Sequence, residues 1–214
     1  GKFATAFSFL KAIKPFIRIG YKEFTQDKSA FNSAMSYTLK RAVTGSGKEI
    51  KIDFDRALVS MGTLMPIFEG AATVSNHQMT FNWKDNSGMG NAERTDIVMV
   101  LVYNKDREAA VYDTEAALRS DCHAGLQLPE DWQDDELVAY LSFCSTDGNC
   151  VANSICLPIS VIEIPEEEID VQTESIDTTH KRILPDKRTV HQSRITVHSL
   201  SAPPNEIQTY RCET

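Results

Sequence analysis

Hydrophobic and polar positions change period twice along the chain. Over the first 45 residues they recur at helical spacing. Phe3, Phe7, Leu10 and Ile17 stand at i, i+4, i+7 and i+14, which places them on one stripe. Pro15 lacks the amide proton that a helix interior needs and clashes with the preceding turn, so the pattern predicts two short helical pieces that meet near Lys14. A better-defined helix follows. Phe31, Ala34, Met35, Thr38, Leu39 and Ala42 share one face, Asp27 or Ser29 can cap its start, and Gly45 can end it. A helix this short is marginal alone, so its apolar face must be covered by the rest of the chain or by another chain.

From Ile50 to Leu157 the period becomes alternating, and seven strands are predicted: Ile50 to Met61, Ala71 to Trp83, Asp96 to Asn104, Glu108 to Tyr112, Ser120 to Leu128, Leu137 to Cys144 and Cys150 to Leu157. Turn residues separate them at Asn104-Lys105-Asp106, Leu128-Pro129-Glu130-Asp131 and Thr146-Asp147-Gly148-Asn149. A three-residue loop over Thr146, Asp147 and Gly148, with Gly148 left-handed, would set Cys144 opposite Cys150 and make a cross-strand disulfide conceivable. Seven short strands at this spacing predict a mainly β fold, a seven-stranded antiparallel β-sandwich preceded by short α-helices. Trp83, Tyr103 and Tyr140, with Phe81, Leu141 and Phe143, stand where such a sandwich keeps its core aromatics.

After Pro158 the chain loses Gly, Phe, Trp and Met and gains the acidic run Glu166, Glu167 and Glu168. Such a composition buries little apolar surface and predicts a polar tail or extended arm, within which Ile162 to Val171 and Thr189 to Leu200 still alternate well enough to pair with a sheet edge. The expected division is therefore 1–47 helical, 48–158 sandwich and 159–214 tail.

Composition narrows the function classes. A net charge of -8 and a pI near 5.1 give the chain as a whole no attraction to nucleic acid or anionic lipid. No apolar run is long enough to span a bilayer. Gly1 stands where a full-length chain would have Met, which leaves room for a preceding segment and leaves the compartment open. The five cysteines lack metal or scaffold spacing and read mostly as small buried hydrophobes.

Candidate chemistry is sparse. Gly47-Lys48 is followed by Glu49, and a helix precedes it, so the phosphate-loop order of strand then helix is reversed. His77, His123, His180, His191 and His198 are too far apart for a local metal motif. No serine stands in a nucleophile elbow, and the adjacent Cys122 and His123 point to opposite faces of a strand. Glu130, Asp131, Asp134, Asp135 and Glu136 fall in a turn, where water solvates them. The loop from 85 to 96 is the one segment rich in oxygen ligands and glycine, and Asp85, Asn86, Asn91 and Asp96 are its candidate ligand residues for calcium or a carbohydrate.

Several short stretches, taken in order, carry a resemblance. They are Lys2-Phe3, Phe9-Leu10, Pro15-Phe16-Ile17, Gly20-Tyr21, Ala34-Met35-Ser36-Tyr37, Asp53-Phe54, Leu58-Val59-Ser60-Met61-Gly62, Phe81-Asn82-Trp83, Asp96, Val102-Tyr103-Asn104, Phe143 and Val151-Ala152-Asn153-Ser154. Residues 1 to about 157 resemble an uncharacterised domain-of-unknown-function family found mainly in Bacteroidota. That resemblance implies a glycine-rich stretch ahead of the helices and supplies no activity, cofactor or catalytic residue. The strand order and core aromatics are separately similar to fibronectin type III and immunoglobulin-like sandwiches.

The resulting expectation is a non-enzymatic structural or protein-interaction module without a cofactor. It would belong to a surface, secreted or virus-like assembly, with protein partners, or further copies of itself, engaged through the helices or the tail. The alternative is a carbohydrate- or calcium-binding sandwich that uses the 85–96 loop.

Overall fold

The break at Pro15 and the cap at Ser29 organise the first 45 residues. In the structure, a computed structural model that describes residues 1–163, helix α1 spans Lys2–Lys11 and α2 spans Lys14–Gly20. Pro15 sits in the first turn of α2, where no intrahelical partner exists for an amide proton. Helix α3 spans Ala30–Arg41, and the Ser29 hydroxyl accepts the Asn32 amide at 3.1 Å. Gly45 does not end this helix. Ala42 closes it, strand β1 (Val43–Thr44) follows at once, and Gly45, at φ +82°, turns the chain into β2 (Lys51–Ile52).

The buried stripe also differs from the expected one. Leu10 and Ile17 are buried as expected, but Phe3 and Phe7 are exposed, and Ala6, Phe9, Ile13 and Phe16 fill the inner face beside them. In α1 both Phe3-Phe7-Leu10 and Ala6-Phe9-Leu10 satisfy helical spacing, and the second lines up with the buried Ile13, Phe16 and Ile17 beyond it, so it takes the inner face.

Eight longer or later strands follow: β3 (Gly70–Ser75), β4 (Gln78–Trp83), β5 (Ile97–Asn104), β6 (Ala109–Leu118), β7 (His123–Gln127), β8 (Leu137–Cys144), β9 (Ile155–Leu157) and β10 (Ile159–Val161). They form two four-stranded sheets, ordered β10-β3-β4-β7 and β6-β5-β8-β9, beside the small β1-β2 ribbon. The fold is mainly β with helices in front, as expected, but the described residues hold ten strands in place of seven. They are not all antiparallel either, since β10 runs parallel to β3.

Three local causes explain the difference. The segment read as one strand from Ala71 to Trp83 is a hairpin. Asn76 and His77 both adopt positive φ, the backbone of a two-residue hairpin turn, without the glycine that usually announces it. Most of Ile50 to Met61 is not strand, because its backbone partners are side chains and other loops. The Leu58 carbonyl accepts from the Tyr21 hydroxyl at 2.8 Å, the Phe54 carbonyl from the Tyr140 hydroxyl at 2.6 Å, and the Val59 amide donates to the Ser154 hydroxyl at 2.9 Å. The polar segment assigned from 159 onward begins with β10, which pairs with β3 through Ile159, Ser160 and Val161. Both longer alternating segments expected in the tail run beyond residue 163, largely or wholly outside the described residues.

Two cores result. Between the sheets lie Ala72, Met79, Phe81, Trp83, Val98, Val100, Val102, Leu141 and Phe143. On the other face of the β6-β5-β8-β9 sheet, the helices bury Phe9, Leu10, Ile13, Phe16 and Ile17 against Met99, Leu101, Tyr103, Val138 and Tyr140. Strands β5 and β8 are therefore covered on both faces, and successive residues of each alternate between the two cores. This explains the near-continuous apolar runs Ile97 to Tyr103 and Leu137 to Leu141. The helices are a third layer on the sandwich, and the described residues fall in one compact unit.

Candidate functional site

The loop between β4 and β5 meets the turn after β6 at Arg119. The Arg119 side chain is fully buried, and Asp96, at 1% exposure, lies beside it. Its Nε and Nη2 atoms both stand 2.9 Å from Asp96 Oδ2. Nη1 donates to Asn86 Oδ1 at 2.8 Å, Nη2 donates to the Met65 carbonyl at 2.7 Å, and the guanidinium lies 4.0 Å from the Phe143 ring centre. The Arg119 carbonyl accepts from the Trp83 indole at 2.8 Å. Burial pulls the Arg119 pKa down by more than Asp96 lifts it. Geometry of this kind ties three segments together, in the manner of a buried ion pair whose donors are satisfied.

Each candidate ligand residue of the loop is engaged by the fold. Asp96 Oδ2 also accepts the Glu93 amide at 2.8 Å. Asn86 gives its carbonyl oxygen to Arg119 and donates from Nδ2 to the Pro66 carbonyl. Asn91 accepts the Met65 amide at 2.7 Å and donates to the Thr63 carbonyl at 3.0 Å. Asp85 Oδ1 accepts the amide and hydroxyl of Ser87. A calcium ion needs six to eight converging oxygens, and these oxygens face separate protein donors. Among the described residues no group of three or more His, Cys, Asp or Glu side chains could hold a metal ion.

A profile of a family of unknown function matches residues 1–158. The chain belongs to that family, DUF6266. The match ends one residue beyond the span over which the sequence resemblance runs. No curated protein matches the chain, and neither does any solved structure.

Within the DUF6266 domain the remaining candidates fall into place. Cys144 and Cys150 are both free thiols. Gly148 is left-handed at φ +75°, as expected, but the loop holds four residues, 146 to 149, because the Ser145 amide donates to the Cys150 carbonyl at 2.9 Å. One extra residue shifts the register by one, so Cys144 faces Val151. Trp83, Phe81, Leu141 and Phe143 are core residues between the sheets, and Tyr103 and Tyr140 pack on the helical side. The Gly47–Glu49 segment is a short turn of 3-10 helix in the β1-β2 connection. His77 lies in a hairpin turn and His123 opens β7. The other three histidines lie outside the described residues.

Sequence reasoning missed two polar clusters. One is Arg119 with Asp96, 23 positions apart, which no local spacing joins. The other is a buried serine set: the Ser60 hydroxyl donates to Ser142 Oγ at 2.6 Å and lies 2.8 Å from the Ala152 carbonyl, and the Ser154 amide donates to the Ser60 carbonyl at 3.0 Å. Among the described residues the hydrogen-bond partners of these three serines are one another and backbone groups. They stitch the chain after β2 to β8 and the segment before β9. The carboxylates of 130–136 are mostly solvated, with Arg107 paired to Asp131 at 2.7 Å and to Asp135 at 2.6 Å.

The described surface includes open grooves along α3 and beside β2. One, of about 380 Å³, runs along α3 beside Phe24, Tyr37, Lys40 and Arg41. The other, of about 640 Å³, lies between β2 and β9 and includes Asp55, Lys105 and Cys156. Burial, with Asp55 close by, pushes the Cys156 thiol up to about 12, so it is a poor nucleophile near neutral pH.

Proposed function

We propose that this chain is a non-enzymatic structural or protein-interaction module. The observation that carries the reading is the fate of the polar groups. Oxygens and amides suited to bind a ligand in the 85–96 loop are used to hold the fold, whereas aromatic and basic side chains on the outer face of α1 stand exposed. Two packed sheets under a helical layer fit the immunoglobulin- or fibronectin III-like likeness and suit a rigid body that presents surfaces. A component of a surface, secreted or virus-like assembly of Bacteroidota is the setting in which such a module would serve. The alternative of a carbohydrate- or calcium-binding loop draws no support from the hydrogen bonds of Asp85, Asn86, Asn91 and Asp96.

The test pairs light scattering on the full chain with a turnover screen over ester, glycoside and phosphate substrates. Association without turnover is the expected outcome. Turnover that disappears on Ser142→Ala, in a variant with unchanged melting, would overturn it.

A further inference from the structure

Charge is divided by layer in the described residues. Residues 1–52 hold the helices and the β1-β2 ribbon and carry ten Lys or Arg against three Asp or Glu, whereas residues 53–163 hold the two larger sheets and carry six against eighteen. Of those ten basic side chains all but Lys22 are exposed, and none takes part in a salt bridge among the described residues. The outer face of α1 adds an aromatic cluster. Phe3 is 64% and Phe7 41% exposed, and their rings stack at 6.2 Å. Phe7 meets the edge of Phe31 on α3 at 5.9 Å, and the Lys14 ammonium lies 5.6 Å from the Phe31 ring centre. Single exposed hydrophobic residues are ordinary, but an organised aromatic group rimmed by cations has the composition of an interface core and its rim.

We propose that this face of α1 and α3 docks on the acidic connection between β7 and β8 of a second copy of the chain, an assignment that deepens and rests on the interaction reading. The 128–136 connection carries five carboxylates and no basic residue. Buried Trp132 anchors it, Arg107 and Lys105 engage Asp131, Asp135 and Glu136, and Glu130 and Asp134 are exposed with no salt bridge. Each copy thus presents a cationic aromatic face and an anionic acceptor, and complementary charge steers the two together. An anionic bilayer is the weaker partner, because the sheet layers carry twelve more acidic than basic residues and would be repelled by it.

The test uses the full chain and two charge reversals at exposed positions, Lys11→Glu/Lys14→Glu and Glu130→Lys/Asp134→Lys. Sedimentation equilibrium at low salt should show self-association of the wild type that weakens at least tenfold in 0.5 M salt, where the Debye length falls to about 4 Å. Each variant alone should associate at least tenfold more weakly, and their equimolar mixture should regain the wild-type affinity. Phe3→Ser/Phe7→Ser should lose self-association, and mixing it with Lys11→Glu/Lys14→Glu should not restore it, since neither copy then carries an intact docking face. Unchanged melting shows that these variants fold. A wild type that self-associates while all three variants behave like it overturns this docking face and leaves the interaction reading standing. A wild-type monomer that sediments with vesicles of anionic lipid makes the bilayer the occupant and overturns the second copy. A monomer that binds neither overturns the docking face altogether.

Discussion

Replacing Asp96 by Asn removes one negative charge from a closed site and leaves the shape almost unchanged. The Arg119 side chain, at 0% exposure, then keeps its positive charge with neutral direct partners, namely Asn86, the Met65 carbonyl and the Phe143 ring, and with the Asp85 carboxylate acting only through space. Removing one member of a buried ion pair costs about 3–5 kcal/mol, because the remaining charge keeps its desolvation penalty without its Coulombic partner. That is a large share of the roughly 5–15 kcal/mol that stabilises a typical domain. In a chain of this size it corresponds to a melting temperature lower by about 10 °C. The double variant Asp96→Asn/Arg119→Met removes both charges and should be less destabilised than Asp96→Asn alone. Urea unfolding followed by tryptophan fluorescence is the natural assay, since the buried Trp83 indole donates to the Arg119 carbonyl. A midpoint for Asp96→Asn within about 1 kcal/mol of wild type at an unchanged denaturant slope would refute the assignment of this pair as the tie between the three segments.

Three further outcomes follow from the geometry. Gly20→Ala should cost about 1–3 kcal/mol by overpacking, because a Cβ there would run into the Val59 carbonyl and the Ser60 Cα; calorimetry checks it. Burial raises the Glu23 pKa, but hydrogen bonds from the Val151 amide and from the hydroxyl and amide of Thr63 outweigh it, so the folded value lies below 4.5. A depressed carboxylate stabilises the fold above its unfolded pKa and loses that contribution as pH falls through the folded one, so the stability gap between wild type and Glu23→Gln should shrink on titration below about pH 4.5. Cys156, with its thiol raised to about 12, should be alkylated by iodoacetamide at pH 8 much more slowly in the native chain than in urea, which peptide mass mapping reads directly.

Much of the fold was legible in the residue pattern. Pro15 and Ser29 act locally, through a missing amide and a hydroxyl acceptor, and local effects can be read from neighbours in the chain. Strands β5 and β8 were equally plain, since their apolar runs need no partner to be recognised as buried. The candidate loop was legible as polar but not as engaged, because nothing in its own residues announces that Arg119 and the backbone around Met65 will occupy its oxygens.

Sequence by itself determined the helical start, the mainly β body and the chemistry on offer, since periodicity, turn residues and composition act over a few positions. Only the tertiary structure decided which of two helical stripes is buried, that β3 and β4 are separate strands, that Cys144 faces Val151, and that Asp96 serves Arg119. The buried stripe and the Asp96–Arg119 pair depend on groups far apart along the chain, whereas the β3-β4 turn and the Cys144 register hang on one or two backbone conformations that no residue type there announces. For the stripe and the pair, the winner is set by how much apolar surface and how many buried polar groups the whole arrangement satisfies.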